Sequence, residues 1–305
     1  MSKANEATTQ ASALEDAVRS AGRHLLDDHL PEPQALLLLG TGLGLMTGYL
    51  KSATRVPLER VPGVPDAWRA SQLFGGSLEG TSVWMLEDAP GASDEGTESP
   101  VVRAAPWVRG WPCWLAAACG AGALLHTTAG FAVADRDQEP RVAPGTLGLV
   151  SDHINVSGHT PLRGLGDSTL GPLFPDTTRL HDAELRASAM AIAKQRGLPA
   201  EEVVCACTLG PALETPAERI WLARAGADVA VQNAEAALHA SAHAGLVGLT
   251  IACVTDAGSD TDDPAARIGD MVAQADRMAP ALEELCSSLG PALRLVWDAQ
   301  TVVEE

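Results

Sequence analysis

The chain has 305 residues, 46% of them hydrophobic, enough for a sizeable core in one large α/β domain or two ordinary ones. With 39 acidic residues against 21 Lys and Arg the formal charge is -18, a sign that repels nucleic acid and anionic membranes, so neither is an expected partner. The opening MSKANEATTQASALEDAV lacks the apolar core of a secretory signal, and no run approaches the roughly 20 apolar residues that span a bilayer. The expectation is a soluble, cytoplasmic protein.

From Ala11 to about His29, Leu14, Val18, Ala21 and Leu25 recur at helical spacing, and Pro31 and Pro33 stop the helix. Ala35 to Leu39 is an unbroken apolar run closed by glycine, the pattern of a strand covered on both faces in a mostly parallel sheet. Similar runs follow at 82–86, 123–126, 146–150, 203–209, 228–232 and 246–254. Helical patterns fall at 114–119, 182–196, 216–225, 234–244 and 264–289, the last ending at Gly290 and Pro291. Strands alternating with helices predict an α/β fold. Residues 1–33 read as an N-terminal helix and tail, 34–292 as one domain and 293–305 as a C-terminal tail. Aromatics are only 4%, so packing is expected to rest on small and aliphatic side chains. The six cysteines form no CxxC pair and read as buried thiols. Residues 87–99 carry five acids and no base and read as a solvated loop.

Four stretches carry candidate chemistry. Gly40-Thr41-Gly42-Leu43-Gly44 follows a buried strand, so it is either a tight turn or a cradle in which backbone N–H groups and the Thr41 hydroxyl meet an anion. A dinucleotide fingerprint would need glycine where Leu45 stands, and a P-loop would need lysine. Asp152-His153-Ile154-Asn155 comes after the strand at 146–150 and serves loop hydrogen bonding or catalysis, while His159, in a polar loop, is the better ligand contact. Glu214, in Gly210-Pro211-Ala212-Leu213-Glu214-Thr215, sits between a strand and a helix, so it either caps that helix or accepts N–H bonds from a planar heterocycle. Asp256 closes the strand at 246–254 and can accept from an exocyclic amine, or donate a proton if burial raises its pKa. Asp260, Asp262 and Asp263 read as a turn and helix cap rather than a metal site, and no metal is expected.

In this order the motifs GTGLG at 40–44, TAG at 128–130, DHIN at 152–155, PLRG at 161–164, FPD at 174–176, GPALET at 210–215, GAD at 226–228 and TD at 255–256 resemble the trimeric purine nucleoside phosphorylases and the related methylthioadenosine phosphorylases. The resemblance covers about residues 35–290. It implies a mixed, partly barrel-like central sheet flanked by helices, a homotrimer, and cleavage of a purine nucleoside by inorganic phosphate as co-substrate, with no cofactor. It implies phosphate-binding roles for Thr41, Gly42, Thr128 and Asn233, purine-binding roles for Glu214, Asp256 and Thr127, and sugar-binding roles for Gln232 and His159. Aspartate at position 256 implies a 6-aminopurine, since the 6-oxopurine enzymes carry asparagine there.

The chain departs from the family pattern where phosphate binds. The family's phosphate-binding arginine and histidine, two residues apart, follow the strand found here at 82–86, yet no Arg, Lys or His occurs between Arg69 and Arg103. A dianion without a counter-charge is costly to desolvate, so Arg69, Arg103 or Arg109 would have to stand in. Otherwise the chain is a nucleoside-binding relative without phosphorolysis, or a hydrolase.

Overall fold

The computed structural model describes residues 3–27, 30–40, 46–87, 105–258 and 264–301. Thr41, Gly42, residues 88–99, Arg103, Asp260, Asp262 and Asp263 lie outside them. Nine strands form one mixed sheet: β1 (Ala35–Leu39), β2 (Lys51–Pro57), β3 (Gln72–Leu78), β4 (Thr81–Glu87), β5 (Ala123–Ala132), β6 (Leu147–Asn155), β7 (Ala200–Thr208), β8 (Val229–Gln232) and β9 (Val247–Asp256). Their spatial order is β2-β3-β4-β1-β5-β8-β7-β6-β9, and β9 pairs back onto β5. Five strands therefore close on themselves, and the remaining four extend from β5 as an open wing.

Seven α-helices flank this sheet among the described residues: α1 (Lys3–Asp27), α2 (Trp111–Ala118), α3 (Ala183–Arg196), α4 (Pro216–Arg224), α5 (Glu235–His243), α6 (Pro264–Ser288) and α7 (Gly290–Thr301). Strand β1 shows why its leucine run is unbroken. It lies parallel between β4 and β5, so neither edge meets water. Leu36 and Leu38 face a cluster with Leu14, Leu25 and Trp114 of α1 and α2, whereas Leu37 and Leu39 face Leu282, Leu285 and Leu293 of α6 and α7.

Several expectations need correction. The strands β2 and β3 carry no clear apolar run, because β2 is mostly exposed and β3 contains Gly75 and Gly76, which pack close to neighbouring segments. DHIN at 152–155 lies inside β6, where all four residues are in register with Val204 to Cys207 of β7, and is not a loop after the strand. The helix read over 264–289 does stop before Gly290, at Ser288, but Gly290 and Pro291 then open a further helix, α7, whose Leu293 is fully buried and whose Trp297 Nε1 donates to Gly120 O at 2.8 Å, so residues 290–301 pack on the sheet where a tail was expected. Packing also leans on aromatics more than their number suggests. Trp68, Trp84, Trp111 and Trp114 are fully buried in the cluster that α1 covers, and Trp68 and Trp111 stand 6.5 Å apart. All six cysteines are buried thiols in no disulfide, as read from the sequence.

Candidate active site

The candidate residues gather where β7 and β8 end. The β7 end runs through Gly210 and Pro211 to Glu214, and α4 starts at once. Thr215 caps that helix: its hydroxyl accepts from Glu218 N–H at 3.3 Å, and the Glu218 carboxylate accepts from Thr215 N–H at 2.7 Å. The cap is thus complete without Glu214. The Glu214 side chain turns inward and is buried, and its Oε1 accepts from the Thr208 hydroxyl at 2.7 Å. Its Oε2 is also buried and has no hydrogen-bond partner among the described residues. A buried carboxyl oxygen left this way is costly unless a donor beyond the described residues completes it.

The β8 end is tied to the same loop. Asn233 N–H donates to Thr208 O at 3.1 Å, and Gln232 Nε2 donates to Ala212 O at 2.9 Å. Asn233 adopts φ 61°, a left-handed conformation that asparagine tolerates better than most residues, and its buried Oδ1 likewise lacks a partner. Glu214, Gln232 and Asn233, expected to touch base, sugar and phosphate, therefore form one hydrogen-bonded patch around Thr208. Nothing in the sequence singled out Thr208, because a threonine ending an apolar strand carries no motif.

Asp256 ends β9 and is buried. Its Oδ2 accepts from Arg219 Nη2 of α4 at 3.1 Å, from Gly258 N–H at 3.1 Å and from Arg267 Nη2 of α6. Burial by itself would raise the Asp256 pKa, but the bonds from Arg267, Gly258 and Arg219 outweigh it and hold the carboxyl below its ordinary value. The side chain is therefore an ionised acceptor and not the proton donor that burial alone suggested. Arg219 and Arg267 went unnoticed in the sequence, since their partner lies far along the chain.

Gly40 and Thr127 meet across β1 and β5. Gly40 N–H donates to Thr127 Oγ1 at 2.9 Å, and a Cβ on Gly40 would stand 2.6 Å from Thr127 O, so only glycine fits this crossing. Thr127 is almost fully buried, and its hydroxyl accepts the Gly40 N–H at the root of the glycine loop. Thr128, next along β5, is partly exposed and donates to Ala129 O at 3.2 Å.

His159 is exposed on the loop after β6. Its backbone is fastened: N–H donates to Ser157 Oγ at 3.1 Å, and the carbonyl accepts from Asn155 Nδ2 at 2.9 Å. Asp152 binds locally, its Oδ1 accepting from His153 N–H at 2.7 Å. Of the substitute cations, Arg69 is half exposed and pairs with Asp66 at 2.9 Å, and Arg109 faces the buried Glu235 of α5 at 3.5 Å.

Residues 112–289 match the family model described as the Phosphorylase superfamily. The chain is 31% identical over 243 residues to purine nucleoside phosphorylase 1 of Geobacillus stearothermophilus, covering 79% of this chain and 84% of that one. It is 30% identical over 254 residues to purine nucleoside phosphorylase 1 of Bacillus subtilis, covering 81% and 87%. This chain belongs to the purine nucleoside phosphorylase family. Its fold is shared with a Schistosoma purine nucleoside phosphorylase solved with hypoxanthine, at TM-score 0.77 and 20% identity over 90% of this chain and 96% of the other. A Schistosoma mansoni purine nucleoside phosphorylase solved with adenosine gives TM-score 0.76 over the same shares. As a phosphorylase-family member the chain is a glycosyltransferase-type enzyme of nucleoside metabolism. No helix among the described residues is long and apolar enough to cross a membrane.

Proposed function

We propose that this enzyme cleaves the N-glycosidic bond of a 6-aminopurine nucleoside with inorganic phosphate, releasing the base and a pentose 1-phosphate. The observation that carries the reading is the Glu214 carboxyl, one oxygen fixed by Thr208 and the other buried without a partner among the described residues. A purine edge offers the N–H that this oxygen lacks. Negative charge developing on the leaving base is steadied by hydrogen bonds at its ring nitrogens, and a base held firmly in place is one condition for that.

In this reading Asp256 accepts from an exocyclic amine, consistent with its ionised state. Thr41, Gly42, Thr128 and Asn233 hold phosphate, while Gln232 and His159 hold the pentose. The exposed side chain of His159 on a fastened loop suits a contact with a neighbouring subunit's site, so the working assembly is a homotrimer.

A second reading is favoured by the cations. The stretch between Arg69 and Arg103 has none, Arg69 is spent on a surface pair, and Arg109 is turned to Glu235. A relative with this pocket would bind a nucleoside without phosphorolysis, or hydrolyse it with water. Incubation with adenosine, inosine and methylthioadenosine, with and without phosphate, separates the readings by release of free base. Phosphate-dependent release, fastest with a 6-amino substrate, is the expected result. Release without phosphate means a hydrolase, binding without release means a sensor, and no binding removes Glu214 from a base site.

A further inference from the structure

A second cluster of chemical groups lies outside the site described above. His153 of β6 and His181, just before α3, point ring nitrogens at each other, with His153 Nδ1 and His181 Nε2 3.0 Å apart. Asp152 adds a carboxylate, and one ligand atom from each of the three residues lies within 4.8 Å of the other two. His239 of α5 packs its ring 5.7 Å from that of His153, and its Nδ1 is engaged with Thr160 Oγ1 at 3.1 Å. Four elements or loops thus converge on one histidine-rich spot.

We infer that Asp152, His153 and His181 form a binding site for a first-row divalent cation of the zinc type, which clamps β6 to the start of α3. Two nitrogens bound at about 2.1 Å to one ion stand about 3.0 Å apart at a right angle and about 3.4 Å at the tetrahedral angle, so the observed spacing is already that of two ligands on one ion. Two imidazoles and one carboxylate are a donor set that such ions accept, with the remaining positions left to water. His239, packed on the His153 ring and held by Thr160, restricts that ring's orientation in the manner of an outer-layer partner. Both ligand histidines are only partly buried and Asp152 is exposed, so an ion can enter without unfolding the chain.

Without an ion the same 3.0 Å contact is a single imidazole–imidazole hydrogen bond. That alternative predicts no metal affinity.

The full chain, free of any affinity tag and stripped with a chelator, is titrated calorimetrically with Zn2+ and with Co2+. One ion per chain is expected to bind saturably and to raise the melting temperature, and the visible absorption of Co2+ should report nitrogen ligation. His153→Gln and His181→Gln should lose both the binding and the melting shift, while His24→Gln, on α1, should keep them. Absence of saturable binding, or binding that survives both substitutions, overturns the site. Should either variant fail to fold, X-ray absorption on the wild-type zinc form decides: two imidazole scatterers support the assignment, and fewer than two refute it.

Discussion

Arg219 and Asp256 form a buried ion pair, with Nη2 and Oδ2 3.1 Å apart and both side chains under a tenth exposed. The pair joins α4, which begins directly after Glu214, to the end of β9, so the two carboxyl groups proposed to read the base belong to elements linked by one guanidinium. Removing one partner of a buried pair strands the other charge, at about 3 to 5 kcal/mol. Arg267 still reaches Asp256, so Arg219→Ala should cost about 3 kcal/mol, at the lower end of that range, by urea denaturation. Adding Asp256→Asn to Arg219→Ala should deepen the loss, because it leaves the Arg267 guanidinium without its carboxylate. A single variant as stable as wild type would show that Arg267 alone neutralises Asp256.

Glu214 makes a different prediction, because its free oxygen faces a missing donor and not a structural partner. Glu214→Ala removes a charged hydrogen-bond acceptor of about 1.5 to 3 kcal/mol from the ligand, which is about a 10- to 100-fold weaker nucleoside affinity by calorimetry. Stability should change little, since the Thr208 hydroxyl already has Val231 O within 3.4 Å. Affinity equal to wild type would place the base elsewhere.

Gly40 crosses Thr127 with no room for a side chain. A methyl group in Gly40→Ala would stand 2.6 Å from the Thr127 carbonyl oxygen, and backbone cannot yield as a side-chain tip can. Such overpacking costs about 1 to 3 kcal/mol and should also raise the phosphate concentration needed for half-maximal turnover. Thermal denaturation and phosphate titration of the same variant check the two effects together.

The buried histidines set a pH dependence whose sign follows from their shifts. Burial lowers His181 and His239 from the ordinary 6.5 to about 4, and lowers His153 as well, so between those values the unfolded chain binds more protons than the folded one. Stability is then full above about 6.5 and falls as the pH drops towards about 4. Asp256, held below the ordinary 3.8, adds its own loss only at still lower pH. Melting temperatures across this range should show the decline, and His181→Gln should flatten it. An unchanged wild-type curve down to about pH 4 would contradict the burial of these rings.

Much of this was legible in the residues themselves. The run Ala35–Leu39 announced a strand covered on both faces, and it lies between β4 and β5 with helices on either side. The helical pattern read over 216–225 is α4, although its cap is Thr215 with Glu218 and not Glu214. The motif resemblance led to the family and named Glu214, Gln232 and Asn233 as candidates; Glu214 and Asn233 both bond to Thr208, and Gln232 bonds to Ala212 in the same loop. Other elements gave no such signal. The polar alternation of DHIN concealed the second half of β6, whose pairing with β7 is what makes it a strand.

Helix periodicity, capping and buried-strand runs are properties of a few consecutive residues, so the sequence alone determined most of the elements from β4 to α6 and the kinship of the chain. The ionised state of Asp256, the unpartnered oxygen of Glu214 and the meeting of His153 with His181 depend on groups 37, 6 and 28 positions apart. The Arg219–Asp256 and His153–His181 distances are closed only by packing of separate elements, whereas Glu214 meets Thr208 within the turn from β7 to α4. A side chain's charge state is set by the neighbours that such packing brings, and a local stretch of sequence does not contain them.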